Sequence, residues 1–358
     1  MPSRARLRVA VVGAGEMSAA HLRALRDSPH VEVVAVVDVD EAAARRRADE
    51  FGVARATADA ESALGDAGVD VVDLVVPHSL HAPLAAAALR AGKHVLCEKP
   101  VALSLAAADE LLALEAESAG RLLVKAYQRS MTLTHRVQRL LEDGALGTVY
   151  LATGLFAAKQ PGMAQPESWR GEWDACGGGV LVDSGYHLLD LFIHLFGAPE
   201  AVTATCLGSA SRLSGKAEDV AVATIELPGT LASVVCTWAD TSQPFRWHRG
   251  IYGDEGAIEW EDTWRLGSMR VLQAGREVSS ERVQDSWEQA NRAAIETMID
   301  DLRLERPSQF GLDAARGTLA AVLACYESSR SGRTVTLDDE SLRSAPPPSA
   351  ATLRRDLA

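Results

Sequence analysis

Leu7 to Val12 is a short apolar run rich in β-branched residues, and it breaks at Gly13-Ala14-Gly15 into a helical pattern carried by His21, Leu22 and Leu25. A strand, a glycine turn and a helix in that order leave few folds open. The first glycine permits a tight turn, and the second lets the backbone approach a pyrophosphate at the positive end of the helix. Gly13-Ala14-Gly15-Glu16-Met17-Ser18 therefore reads as a dinucleotide turn with Gly13, Gly15, Glu16 and Met17 as its contacts. Ser18 stands where Gly or Ala is usual, and it is small enough for close packing of helix on strand.

The alternation continues. Val31 to Val37 reads as a second buried strand ending at Asp38, and Glu41 to Phe51 as a helix stopped by Gly52. Val69 to Val76, His94 to Cys97 and Leu122 to Ala126 are further strands, separated by helices over His81 to Ala91 and Leu105 to Ser118. Strands alternating with helices imply right-handed crossovers and a parallel sheet. Asp38 lies at the distance expected for the acid that accepts a ribose 2′-hydroxyl, which favours NAD over NADP because a carboxylate repels a 2′-phosphate. Capping of the following helix, the alternative role for Asp38, is already served by Asp40. Pro77-His78-Ser79-Leu80-His81 closes the third strand at the ligand-binding edge of such a sheet, with His81 read as a wall of the cofactor pocket.

After Tyr127 the rhythm changes. Helices are expected at His135 to Glu142 and Val180 to Phe196, and a strand at Thr148 to Phe156. From Ala201 to Val278 strand-like runs follow one another, including Val220 to Leu227 and Leu231 to Trp238 joined through Pro228-Gly229. Successive strands without helices indicate a mostly antiparallel sheet. Two helices, Ser286 to Leu304 and Leu312 to Ser329, close this half. The expected organisation is a dinucleotide domain over 1–128, a substrate-binding and oligomerisation domain over 129–344, and a loose tail over 345–358 that contains Pro346-Pro347-Pro348.

Two domains suit 358 residues, and 47% hydrophobic against 24% charged residues supplies material for their cores. A formal charge of −13 argues against nucleic acid, whose binding depends on clustered cations, and Arg45-Arg46-Arg47 reads as a solvated helix surface. No run reaches the roughly 20 apolar residues that a membrane span needs. Five scattered cysteines without a Cys-x-x-Cys pair suit reduced thiols in a cytoplasm and argue against structural zinc; no metal site is expected.

Chemistry concentrates in two places. Cys97-Glu98-Lys99-Pro100 ends a strand of the first half, and Gly177-Gly178-Gly179 leads into Asp183 and His187 in the second. Asp183 and His187 are four residues apart, so on a helix they share a face. The triple glycine is read as close backbone approach to a ligand, which separates His187 from His194, read as an ordinary core histidine.

Taken in order, these motifs resemble the family of glucose-fructose oxidoreductase, inositol dehydrogenase and rhizopine catabolism proteins, with similarity over nearly the whole chain. The resemblance implies a nucleotide domain followed by an α/β domain whose open sheet assembles dimers or tetramers, with substrate between the domains. It implies oxidation or reduction of a secondary alcohol of a sugar, amino sugar or cyclitol. Lys99, Asp183 and His187 match its catalytic trio; Gly13, Gly15, Asp38, Pro77, His81 and Glu98 match cofactor contacts. Gln128, Trp169 and Arg170 match positions that approach nicotinamide or substrate. Either Lys99 or His187 can take the substrate proton, since a lysine near a cationic nicotinamide can also have a lowered pKa. Two rival functions are a cofactor-binding sensor of sugars or redox state without turnover, and a relative acting on a dihydrodiol or an imine. Tryptophans 169, 173, 238 and 247, with His248, are read either as pocket lining or as core and interface aromatics.

Overall fold

The computed structural model describes residues 6–159, 169–208, 217–239, 245–263, 265–284, 286–338 and 342. The segment 345–358 and much of the loop before Trp169 lie outside them. The chain divides into two compact units, Met1–Tyr127 with Asn291–Arg316, and Gln128–Ala290 with Gly317–Ala358.

The first unit is the expected parallel sheet. Its strands are β1 (Leu7–Val12), β2 (Val31–Val37), β3 (Ala56–Thr57), β4 (Val71–Leu74), β5 (His94–Cys97) and β6 (Leu122–Val124), in the order β3-β2-β1-β4-β5-β6. Every pairing is parallel. The direction of strand order reverses between β1 and β4, where open sheets of this kind bind ligands. The connecting helices are α1 (Ser18–Asp27), α2 (Glu41–Phe51), α3 (Ala60–Gly65), α4 (His81–Arg90) and α5 (Leu105–Glu117). Local chemistry sets the ends of α2: Asp40 accepts from the Ala42 N–H at its start, and Gly52 takes the left-handed conformation at its stop (φ 70°).

The two-domain reading did not foresee that Asn291–Arg316 belongs to this unit. Ala294, Ile295, Met298, Ile299, Leu302 and Phe310 join the core formed by Val9, Val11, Leu22, Leu25 and Val36. The segment also answers the open edge of β6, since the Val124 N–H donates to the Phe310 carbonyl at 2.7 Å. An uncovered edge strand would present unpaired donors and acceptors.

The second unit carries α6 (Thr132–Glu142), β7 (Val149–Ala157), the short α7 (Trp173–Cys176) and α8 (Tyr186–Phe196). Strands β8 (Ala201–Leu207), β9 (Val220–Leu227), β10 (Thr230–Thr237), β11 (Arg246–Gly253), β12 (Ala257–Asp262), β13 (Gly267–Gln273) and β14 (Arg276–Val283) follow. Helices α9 (Trp287–Arg303) and α10 (Leu312–Ser331) and strand β15 (Val335–Thr336) complete the described elements. The sheet runs β14-β13-β12-β11-β7-β10-β9-β8-β15, antiparallel throughout except where β7 and β10 run parallel. Gly229 turns the β9–β10 hairpin at φ 68°. Helix α8 lies on β7 at Gly154, where an added Cβ would press on Leu188 and Phe192 at 3.0 to 3.2 Å.

All five cysteines are buried and none forms a disulfide. Burial pushes the Cys97, Cys206 and Cys236 thiols well above their usual range. No helix among the described residues is long and apolar enough to cross a membrane.

Candidate active site

In the first unit the glycine turn is built as its sequence requires. Gly13 adopts φ 108°, and a Cβ there would collide with the Val75 carbonyl of the neighbouring strand. Gly15 differs. A Cβ on it would meet nothing within 4 Å, so the turn is open on that side. Helix α1 starts at Met17 without a side-chain cap, and Gly15 and Glu16 are exposed beside it. An open turn against an uncapped helix start suits a pyrophosphate. Ser18 is fully buried, and its hydroxyl donates to the Gly15 carbonyl at 2.6 Å, which lets it stand in for the usual glycine.

Asp38 secures the same turn from the end of β2. Its Oδ2 accepts from the Ala14 N–H at 2.7 Å and its Oδ1 from the Asp40 N–H at 2.9 Å. A carboxylate has about four acceptor sites, so lone pairs remain for a ribose hydroxyl. Arg47 departs from the solvated-surface reading of the triple arginine. Its Nη1 pairs with Glu50 at 2.6 Å and its Nη2 donates to the Gly15 carbonyl at 3.0 Å.

His81 is fully buried behind the turn that begins at Pro77. Its Nδ1 lies 2.6 Å from the Pro100 carbonyl and its Nε2 2.9 Å from the Val76 carbonyl. Both nitrogens are therefore occupied by backbone, and the side chain ties the end of β4 to the Lys99–Pro100 turn, whose peptide is cis. His78 is buried with its ring 5.7 Å from that of His81. Lys99 is buried, 8% exposed.

Glu98 heads a buried charged cluster that sequence reading missed. Its Oε1 accepts from Lys125 Nζ at 2.6 Å and from His21 Nε2 at 3.0 Å, and His21 Nδ1 donates to Asp73 at 2.9 Å. Burial opposes ionisation of Glu98, yet Lys125 and His21 outweigh it and hold the carboxyl well below its usual range. Burial likewise opposes the His21 cation, and Asp73 and Glu98 outweigh that burial and the Lys125 charge to raise its pKa. The signal was present in the sequence: Asp73 interrupts Val71-Val72-Asp73-Leu74, and Lys125 follows Leu122-Leu123-Val124. Polar residues inside such runs need buried partners.

In the second unit, Leu181–Gly185 forms a π-helical turn that passes into α8 at Tyr186, so the single helix expected over Val180 to Phe196 changes winding between Asp183 and His187. Such turns recur at functional sites. Asp183 is buried, and Arg170 Nε lies 3.8 Å from its Oδ1 while the Arg170 guanidinium stacks over Trp169 at 4.4 Å. His187 is half-buried, with the Trp247 ring edge-on at 6.2 Å. Asp183, Arg170 and Trp169 are thus brought together, and His187 follows on the next helical turn. Gln128 is buried at the start of the unit, next to Arg129, which forks onto Asp190 of α8 at 2.6 and 2.9 Å.

The triple glycine serves the protein itself, which corrects the argument that set His187 apart. Gly177 ends α7 in the left-handed conformation, a Cβ on Gly178 would collide with the Tyr326 hydroxyl, and one on Gly179 with the Glu218 carbonyl. Of the other aromatics, Trp173 is buried against Tyr326, and Trp238 is buried with its Nε1 donating to Ser184 of the π-turn at 3.2 Å. His194 meets Gln138 at 2.9 Å. No group of three or more metal-ligating side chains occurs among the described residues.

Two family models match the chain in order: an oxidoreductase family with an NAD-binding Rossmann fold over residues 7–126, and the GFO/IDH/MocA C-terminal domain over residues 134–259. The chain belongs to the GFO/IDH/MocA oxidoreductase family. Among relatives of this family, D-apiose dehydrogenase of Paraburkholderia graminis is 28% identical over 93% of this chain and 90% of its own length. D-xylose 1-dehydrogenase (NADP(+)) 2 of Haloferax volcanii is 28% identical over 88% of this chain and 94% of its own. The crystal structure of GenD2 from gentamicin A biosynthesis, in complex with NAD, superposes with a TM-score of 0.80 at 28% identity, covering 93% of this chain and 96% of that one. The GFO/IDH/MocA chain is an oxidoreductase with an NAD-binding fold.

Proposed function

We propose that this GFO/IDH/MocA chain is an NAD-dependent dehydrogenase that oxidises or reduces a secondary alcohol position of a sugar, amino sugar or cyclitol. The observation that carries the reading is the Asp183 constellation: a buried carboxylate on a π-turn, beside Arg170 and Trp169, one helical turn before a half-buried histidine. Relatives named for apiose and xylose oxidation support the substrate class.

The dinucleotide, when bound, supplies the hydride acceptor. Gly13, Gly15, Glu16 and Met17 would hold its pyrophosphate, Asp38 its ribose, and Pro77, Glu98 and Gln128 its nicotinamide half. NAD is favoured because a carboxylate at Asp38 would repel the 2′-phosphate of NADP. The half-buried His187 takes the proton of the substrate hydroxyl as the hydride departs, a transfer that typically contributes about 10²–10⁴-fold. Lys99 donates a hydrogen bond to the substrate oxygen and stabilises negative charge as it develops. Asp183 orients His187 or accepts from a neighbouring hydroxyl, with Arg170 holding the carboxylate and Trp169 offering a ring face that suits a sugar.

The test is NADH formation over a panel of aldoses, amino sugars and cyclitols. Turnover with at least one such polyol is expected. Tight NAD binding without turnover on any of them would instead favour a sensor.

A further inference from the structure

Five side chains from separate elements meet beneath the Glu98 turn. His21 comes from α1, Asp73 from β4, Glu98 and Lys125 from the ends of β5 and β6, and Asn291 from α9. Lys125 Nζ donates to Glu98 Oε1 at 2.6 Å and to Asn291 Oδ1, and it lies 2.9 Å from His21 Nε2. The Lys125, His21 and Asp73 side chains are 3%, 1% and 0% exposed, whereas Glu98 keeps 14%. Four ionisable groups have been taken out of water here, and apolar residues of similar volume would commonly support a fold as well. Both cations converge on one oxygen of Glu98. Its other oxygen makes no hydrogen bond to any described residue.

We propose that Lys125, assisted by His21, is a positioning residue for dinucleotide binding: it fixes Glu98 through Oε1 so that Oε2 is presented to a hydroxyl or amide donor of the cofactor. The inference rests on the reading of Glu98 as a cofactor contact. The same glutamate closes the strand that delivers Lys99, so the anchor also fixes where that lysine emerges. A carboxylate with two oxygens can serve two masters at once, one oxygen taking the protein's cations and the other the ligand.

The titratable groups around Glu98 are His21, Lys125, Asp73 beyond His21, His81, whose pKa burial lowers, and the buried Cys97 thiol, which burial keeps neutral. Removing the lysine charge therefore returns Glu98 toward protonation, and a protonated Oε2 is a poorer acceptor. This gives the proposal a readout that a structural role alone would not move.

NADH dissociation constants are measured by fluorescence titration between pH 5 and 8 for the full chain, Glu98→Gln, Lys125→Met and Lys125→Met/Glu98→Gln. Lys125→Met is expected to weaken NADH binding about tenfold or more, with the loss deepening toward pH 5 while the wild type stays flat. Placed on Glu98→Gln, the same change is expected to cost less than about twofold, because the charge it anchors is gone. An equal loss in both backgrounds, or no loss in either, overturns the proposal. If Lys125→Met does not fold, Lys125→Gln replaces it in both backgrounds and the same criterion decides. If Glu98→Gln binds NADH as the wild type does, the cofactor reading of Glu98 fails, and the proposal with it.

Discussion

The Tyr326 hydroxyl donates to Glu218 Oε1 at 2.7 Å, and the same hydroxyl fills the space that a side chain on Gly178 would need. The Leu181 N–H donates to that oxygen at 3.0 Å, and the Val180 N–H to the Glu218 carbonyl at 3.0 Å. A carboxyl, a phenol and two glycines thus fasten the start of the π-turn that carries Asp183. The position of Asp183 therefore depends on groups well separated from it in sequence.

Burial pushes the Glu218 carboxyl up to about 7 against the hydrogen bonds that lower it, from an ordinary value of 4.5. An acid that ionises less readily in the folded state destabilises the fold as pH rises from the unfolded value to the folded one, and no further above it. Glu218→Gln keeps the acceptor for Tyr326 and Leu181 and removes the charge. The variant should match the wild type near pH 4, gain on it progressively up to about pH 7, and hold a constant advantage above, on the order of a few kcal/mol. Urea unfolding at a series of pH values measures it; a difference that does not vary with pH would contradict the assignment.

Gly178→Ala and Gly15→Ala should separate structural from ligand-facing glycines. Gly178 sits at φ 147° against Tyr326, so its variant should lose about 2 kcal/mol or more of stability. Gly15 has open space where a Cβ would lie, so its variant should keep its stability within about 1 kcal/mol and lose about tenfold or more in NADH affinity. Denaturant midpoints and NADH titrations on the same two samples make the comparison.

Asp38→Ala should lower NAD affinity and move the NAD to NADP preference toward NADP by about tenfold or more, since the carboxylate that repels a 2′-phosphate is gone. Part of the NAD loss will come from the Ala14 N–H that Asp38 holds at 2.7 Å. The ratio is the decisive quantity, because loosening the turn affects both cofactors. An unchanged ratio would discard the ribose assignment.

Much of this was legible in the chain because the first unit obeys local rules. Strand β1, strand β2 and helix α2 begin and end at the residues that apolar patterning, Asp40 and Gly52 indicate. Strand β14 was missed because Arg276–Val283 is mostly exposed and has no alternation for a sheet face to impose. The return of Asn291–Arg316 to the first unit was hidden because apolar periodicity marks a buried helix face without showing which core it joins. The π-turn was invisible because it needs Trp238, Glu218 and Tyr326, all distant in sequence, to hold it. Lys99, Asp183 and His187 are singled out by motif, while the Lys125 and His21 contacts of Glu98 and the Glu218 contact below the π-turn emerge only from the folded structure.

The most direct test of the account is kcat for His187→Ala and Lys99→Ala on a polyol that the wild type oxidises, measured beside NADH affinity. Each variant should lose about 10²–10⁴-fold in kcat while its NADH dissociation constant stays within about threefold of the wild type, a shift well under 1 kcal/mol. Turnover close to the wild-type rate in both variants would contradict it.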